Sequence, residues 1–149
     1  MTDQRLTSVV KRQDGAVATS ADGQQWFLKS GAYLVGADLR AADLTGIDLT
    51  GVDLSFANLA GVTAEGVDLK GANLNSTNLN GSNFRKADLT GVTFEGATAA
   101  CADFEDAVLN DQSIINRQNL YFPPAFDAKG ERVYLDENGE RRPKLVEET

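Results

Sequence analysis

Ala37-Asp38-Leu39-Arg40-Ala41, Ala42-Asp43-Leu44-Thr45-Gly46, Ile47-Asp48-Leu49-Thr50-Gly51 and Val52-Asp53-Leu54-Ser55-Phe56 are four consecutive five-residue units. The same frame runs without insertion from Ala32 to Asp111, giving sixteen units in 80 of the 149 residues. Position one is small or β-branched, position two is usually Asp or Asn, position three is apolar and most often Leu, and position five is often Gly. A period of five fits neither a helix at 3.6 nor a strand at 2. Fixed-period similarity of this kind marks a solenoid, in which each unit buries its apolar positions by stacking on its neighbours. Positions one and three lie two apart, so both face inward across an extended segment while position two faces out. A turn at positions four and five rotates the chain, and Gly suits its backbone angles.

These units resemble the pentapeptide-repeat family, whose consensus is roughly Ala-Asp/Asn-Leu-x-x. The resemblance implies an all-β fold, a right-handed quadrilateral β-helix with four units per square coil and hence about four coils. It divides the chain into an N-terminal β-strand cap at 1–31, the repeat at 32–111, and an extended arm with a β-hairpin at 112–149.

The net charge of −8 is unevenly placed. Residues 32–111 hold 12 acids and 4 bases, whereas the other 69 residues hold 10 of each. An acidic coil repels nucleic acid, mimics it, or attracts basic partners; it also follows simply from a repeat that accepts Asp at its outward second position. With one Cys and no His, no internal disulfide is possible and the commonest general base is absent. Cys101 lacks an activating partner in the sequence. No phosphate loop, dinucleotide fingerprint or zinc spacing occurs. The expectation is a non-enzymatic protein without cofactors, cytoplasmic or built into a particle assembled there. No apolar run reaches the roughly 20 residues of a membrane span, and Met1–Arg5 lacks a signal-peptide layout.

Outside the repeat, Val9-Val10-Lys11 and Ala16-Val17-Ala18 flank Asp14-Gly15, a hairpin signal. A second turn at Asp22-Gly23 precedes Trp26-Phe27-Leu28, and both rings are expected to plug the open first coil. Gln112–Asn116 is a candidate partial last unit. Leu120-Tyr121-Phe122-Pro123-Pro124-Ala125-Phe126 is apolar and stiffened by proline, an arm that folds back over the last coil or reaches a partner. Asn138-Gly139 between Arg132–Asp136 and Glu140–Val146 signals another hairpin.

With four units per coil, residues 20 apart stack on one face at about 4.8 Å. Leu44, Ala64, Phe84 and Phe104 then share an inward column. Outside, Glu65, Arg85 and Glu105 form a charge ladder on the third face, with Lys86 over Asp106. Asp48, Asp68 and Asp88 form an acidic column on the fourth face, with only Lys70 near and too few converging ligands for a strong calcium site. The second face carries Asn58, Asn78 and Asn80 and is small and neutral after Asp38 and Arg40, which suits an interface core. Tyr33, Val35 and Phe56 point outward near the start of the first face and are expected to lie under the N-terminal strands.

Two functions fit. One is a structural interaction module that docks onto a protein assembly, such as a viral particle or other shell, or onto copies of itself. Its partner-binding residues would be Leu120, Tyr121, Phe122 and Phe126 in the arm and Asn58, Asn78 and Asn80 on the neutral face. The alternative, implied by resemblance to quinolone-resistance members of the family, is a DNA mimic that binds the type II topoisomerase gyrase. A rod of about 19 Å spans only about five or six base pairs, which favours the first. Direct binding of nucleic acid or membrane is not expected.

Overall fold

The computed structural model describes residues 5–108, together with the backbone of 125–126, 132–135 and 141–142. The first three strands, β1 (Leu6–Arg12), β2 (Gly15–Ser20) and β3 (Gln25–Leu28), form an antiparallel sheet in the order β1-β2-β3. The two turn signals thus join the strands they were expected to join. Three further strands, β4 (Ala125–Phe126), β5 (Arg132–Leu135) and β6 (Arg141–Arg142), form a second antiparallel sheet. In it Ala125 pairs with Val133 and Tyr134 with Arg142. Gln112–Asn116, Leu120, Tyr121, Phe122, Asn138 and Gly139 lie outside the described residues.

Between them the chain winds as a β-helix. Its second positions form parallel bridges at a spacing of 20: Tyr33, Asp53, Asn73 and Thr93 make one column, Asp38, Asn58, Asn78 and Thr98 the next. Asp43, Thr63, Asn83 and Asp103 make the third, and Asp48, Asp68, Asp88 and Val108 the fourth. One turn links each unit to the next. The position-one amide donates to the position-three carbonyl before it, as in Ala37 N to Leu34 O at 3.1 Å. Position five has positive φ in every described unit, from Gly36 to Asp106. Gly takes this conformation without strain. Six units hold a side chain there instead: Ala41, Phe56, Ser76, Lys86, Cys101 and Asp106.

The inward frame is as the sequence dictates. Every third-position residue from Leu34 to Phe104 is buried, and first positions are buried except for the half-buried Ala32 and Ala102. Phe84 and Phe104 stack at 5.6 Å between ring centroids, with Ala64 in the same column. Thr77 and Ser82 are polar first positions, and each hydroxyl donates to a backbone carbonyl, of Leu74 and Leu79, at 2.5 Å. That bond offsets the cost of burying the hydroxyl.

The cap uses one ring rather than two. Adjacent strand residues face opposite sides. Trp26 packs with Leu6, Val9, Ala16, Ala18 and Leu28 against the core, so Phe27 points away and is 58% exposed. Tyr33 and Phe56 are not covered by the cap either; they are 79% and 69% exposed, with Val35 half-buried.

Candidate functional site

The second-position side chain has a backbone duty that the sequence alone did not reveal. Its Oδ1 accepts the amide of position four in the same unit: Asp48 from Thr50 at 2.9 Å, Asn58 from Ala60 at 3.1 Å, Asn78 from Asn80 at 3.0 Å, Asp68 from Lys70 at 3.1 Å. This is the local Asx pattern of turns. Asp and Asn serve it equally, because each offers the same oxygen. Thr93 and Thr98 cannot reach that amide, and the coil before them supplies the acceptor instead. Asn75 Oδ1 takes the Glu95 amide and Asn80 Oδ1 takes the Ala100 amide, both at 2.8 Å. An Asn at position four, 18 residues before a Thr at position two, was the signal available in the sequence.

On the fourth face Asp48, Asp68 and Asp88 stack as expected. Lys70 lies 3.0 Å from Asp68 and 3.9 Å from Asp88, so the column is partly relieved. The Thr50 amide holds the Asp48 carboxyl below its ordinary range. Burial works to raise Asp68, but the amide and ammonium of Lys70 outweigh it and the net direction is down. Lys70 is pushed up, first by its hydrogen bond to Asp68 and then by the charges of Asp68 and Asp88. Among the described residues no group of three or more His, Cys, Asp or Glu is placed to hold a metal ion.

On the third face Arg85 pairs with Glu105 and, at 3.2 Å, with Asp103. Lys86 reaches Glu65 at 3.7 Å rather than Asp106. Long flexible side chains choose among exposed partners at little cost, which stacking order alone does not resolve.

The second face is uncharged beyond one internal pair. Arg40 grips Asp38 with two bonds, Nε to Oδ1 at 2.8 Å and Nη2 to Oδ2 at 2.7 Å. The Arg40 side-chain bonds hold the Asp38 carboxyl below its usual value, against a smaller opposing effect of burial. Below that pair Asn58, Asn78 and Asn80 have their carbonyl oxygens engaged by backbone. Cys101 ends this face as an exposed thiol. At the corner joining the first and second faces, Phe56 stands between Gly36 and Ser76 in its column with φ 60. A ring with positive φ is an outlier. Leu120, Tyr121 and Phe122 lie outside the described residues, and Phe126 is described only as a backbone partner of Arg132.

The family "Pentapeptide repeats" matches this chain with 8 copies, over residues 32–71, 53–91 and 87–111. The chain belongs to that family, and its fold is the right-handed β-helix of pentapeptide-repeat proteins. Similar solved structures include a pentapeptide repeat protein of the Arabidopsis thaliana thylakoid lumen. It is 25% identical with a TM-score of 0.48, over 55% of this chain and 63% of that one. Rfr23 of the cyanobacterium Cyanothece 51142 is 25% identical with a TM-score of 0.49, over 64% and 60%. The plasmid-mediated fluoroquinolone resistance protein QnrB1 is 12% identical with a TM-score of 0.29, over 61% and 68%. The matches to the first two cover about three-fifths of each of those chains. No curated protein sequence matches the chain.

Proposed function

We propose that this chain is a non-enzymatic interaction module, a rigid four-sided block that docks onto subunits of a larger protein assembly through its uncharged second face and the corner beside it. Phe56 carries this reading. It holds a strained backbone conformation where Gly would be cheaper, and its ring lies in solvent. Strain and exposure together are compensated when the ring enters a partner's pocket, as aromatic anchors do at interfaces. Tyr33, exposed on the same face of the coil, extends the apolar contact, and the neighbouring second face presents no net charge to desolvate.

The test is affinity capture from the source cells with the intact chain and with Phe56→Gly plus Tyr33→Ser. A defined set of proteins lost in the double variant, whose melting is unimpaired, supports the module. An identical set in both discards it. For the alternative, gyrase mimicry, the expected result is no inhibition of supercoiling at micromolar protein. Inhibition that disappears when Asp48, Asp68 and Asp88 become Asn would replace the module reading.

A further inference from the structure

The outer side of the β1-β2-β3 sheet has a pattern of its own. Cross-strand register places Val10 opposite Val17 and Val17 opposite Phe27. Directly opposite residues share one side of a sheet, so these three form an apolar row across all three strands. The inner rows run Val9, Ala18, Trp26 and Lys11, Ala16, Leu28. Val17 is 5% exposed yet absent from the coil's core, and its row neighbours Val10 and Phe27 are 53% and 58% exposed.

The next row holds Arg12 opposite Gly15, with Lys29 following Leu28 on the far strand. A Cβ at Gly15 would fall 2.2 Å from the Leu28 carbonyl oxygen and 3.0 Å from Lys29 Cβ. The Leu28 carbonyl and Lys29 fill that space, so only Gly fits and no β2 side chain stands between the two cations. Arg12, Gly15 and Lys29 also line a cleft of about 330 Å³ at the seam with the coil, together with Lys11, Asp14, Asp48 and others. The four bases of the coil, Arg40, Lys70, Arg85 and Lys86, are all ion-paired. Lys11 reaches Asp43 at 3.5 Å. Among the described residues Arg12 and Lys29 have no ion pair, in a chain of net charge −8.

We propose that this outer sheet side is a docking surface for an acidic, apolar peptide segment of another protein. Apolar side chains of the segment lie against the exposed Val10 and Phe27, and adjacent carboxylates pair with Arg12 and Lys29. Charge complementarity selects this occupant. At physiological salt, charges interact only within about 8 Å, so the local balance decides, and the cleft holds three bases, Lys11, Arg12 and Lys29, against two acids, Asp14 and Asp48. A flat anionic bilayer would meet Asp22 in the far hairpin turn as well as Asp14 beside the cations. A second copy brings a further net charge of −8 and is repelled. The surface is distinct from the Tyr33 and Phe56 corner, so each can fail alone.

The test uses the full chain and a labelled, end-blocked peptide, Glu-Leu-Asp-Phe-Glu-Leu-Asp, followed by fluorescence anisotropy. Saturable binding is expected. It should weaken at least about tenfold, which is 1.4 kcal/mol, in Arg12→Gln plus Lys29→Gln and also in Val10→Thr plus Phe27→Ser. It should stay unchanged in Phe56→Gly plus Tyr33→Ser. Raising salt toward 1 M, where the screening length is about 3 Å, should weaken it as well. The charge variant leaves the apolar row intact and serves if the apolar variant does not fold. No binding, undiminished binding in the charge variant, equal binding of a peptide with Lys at the acidic positions, tighter binding to phosphatidylglycerol vesicles, or self-association of the chain through this sheet would each overturn the proposal.

Discussion

The second and fourth faces of the coil are built on one backbone plan and end up chemically opposite. On the fourth, Asp48, Asp68 and Asp88 sit in register; on the second, Asn58 and Asn78 occupy the same repeat position. Where the bond is made, the side-chain oxygen accepts the same position-four amide in either case. The fold therefore asks for an acceptor and is indifferent to its charge. Charge on this rod is a free variable, and its distribution reports on what the faces meet rather than on how the coil holds together.

The largest test attacks what the faces share. Leu69 is buried in the fourth-face stack, so Leu69→Ala should cost about 2–5 kcal/mol through cavity formation, and Leu69→Asp should not fold. A cooperative melt for the Asp variant, followed by circular dichroism, would refute the register. The next separates acceptor from charge. Asn78→Leu removes the acceptor for the Asn80 amide and should cost about 0.5–1.5 kcal/mol, whereas Asn78→Asp should cost far less in denaturant unfolding. Equal losses would mean that charge, not the acceptor, was being selected on the second face.

Phe56→Gly should stabilise by about 1 kcal/mol by removing the left-handed strain, although an aromatic ring is lost. A marked loss would show that the ring packs on the coil rather than waiting for a partner. The smallest effect is expected on the fourth face. Changing Asp48, Asp68 and Asp88 together to Asn should alter stability at neutral pH by less than about 0.5 kcal/mol. Its pH profile should differ, however. Asp48 and Asp68 are held below their ordinary values, so they stabilise the fold above the unfolded value of about 3.9. That contribution is lost as pH falls through the folded values. The native chain should thus lose stability more steeply between about pH 5 and 2 than the triple variant.

Period, inward frame and both N-terminal turns were legible because each rests on local spacing: Leu34 through Phe104 recur at five, and Asp14-Gly15 and Asp22-Gly23 punctuate the strands. The columns at 20 residues followed from the family resemblance. What escaped depended on side-chain direction at close quarters. Trp26 and Phe27 are neighbours in sequence yet one is core and the other surface, because the strand's phase decides. Lys86 had Asp106 in its own stack and Glu65 in the stack beside it, and took the latter. The acceptor role of position two was hidden because its exposed carboxylates look like ordinary solvated charge.

Asn75 and Asn80 give the coil a memory of the order in which it can change. Each serves an amide in the following coil that Thr93 or Thr98 leaves unserved. If Thr93 first becomes Asn, the Glu95 amide gains an acceptor within its own unit, and Asn75 is then released to vary. In the reverse order the amide is orphaned along the way. Drift along this rod is therefore directional, and positions 18 apart inherit each other's history.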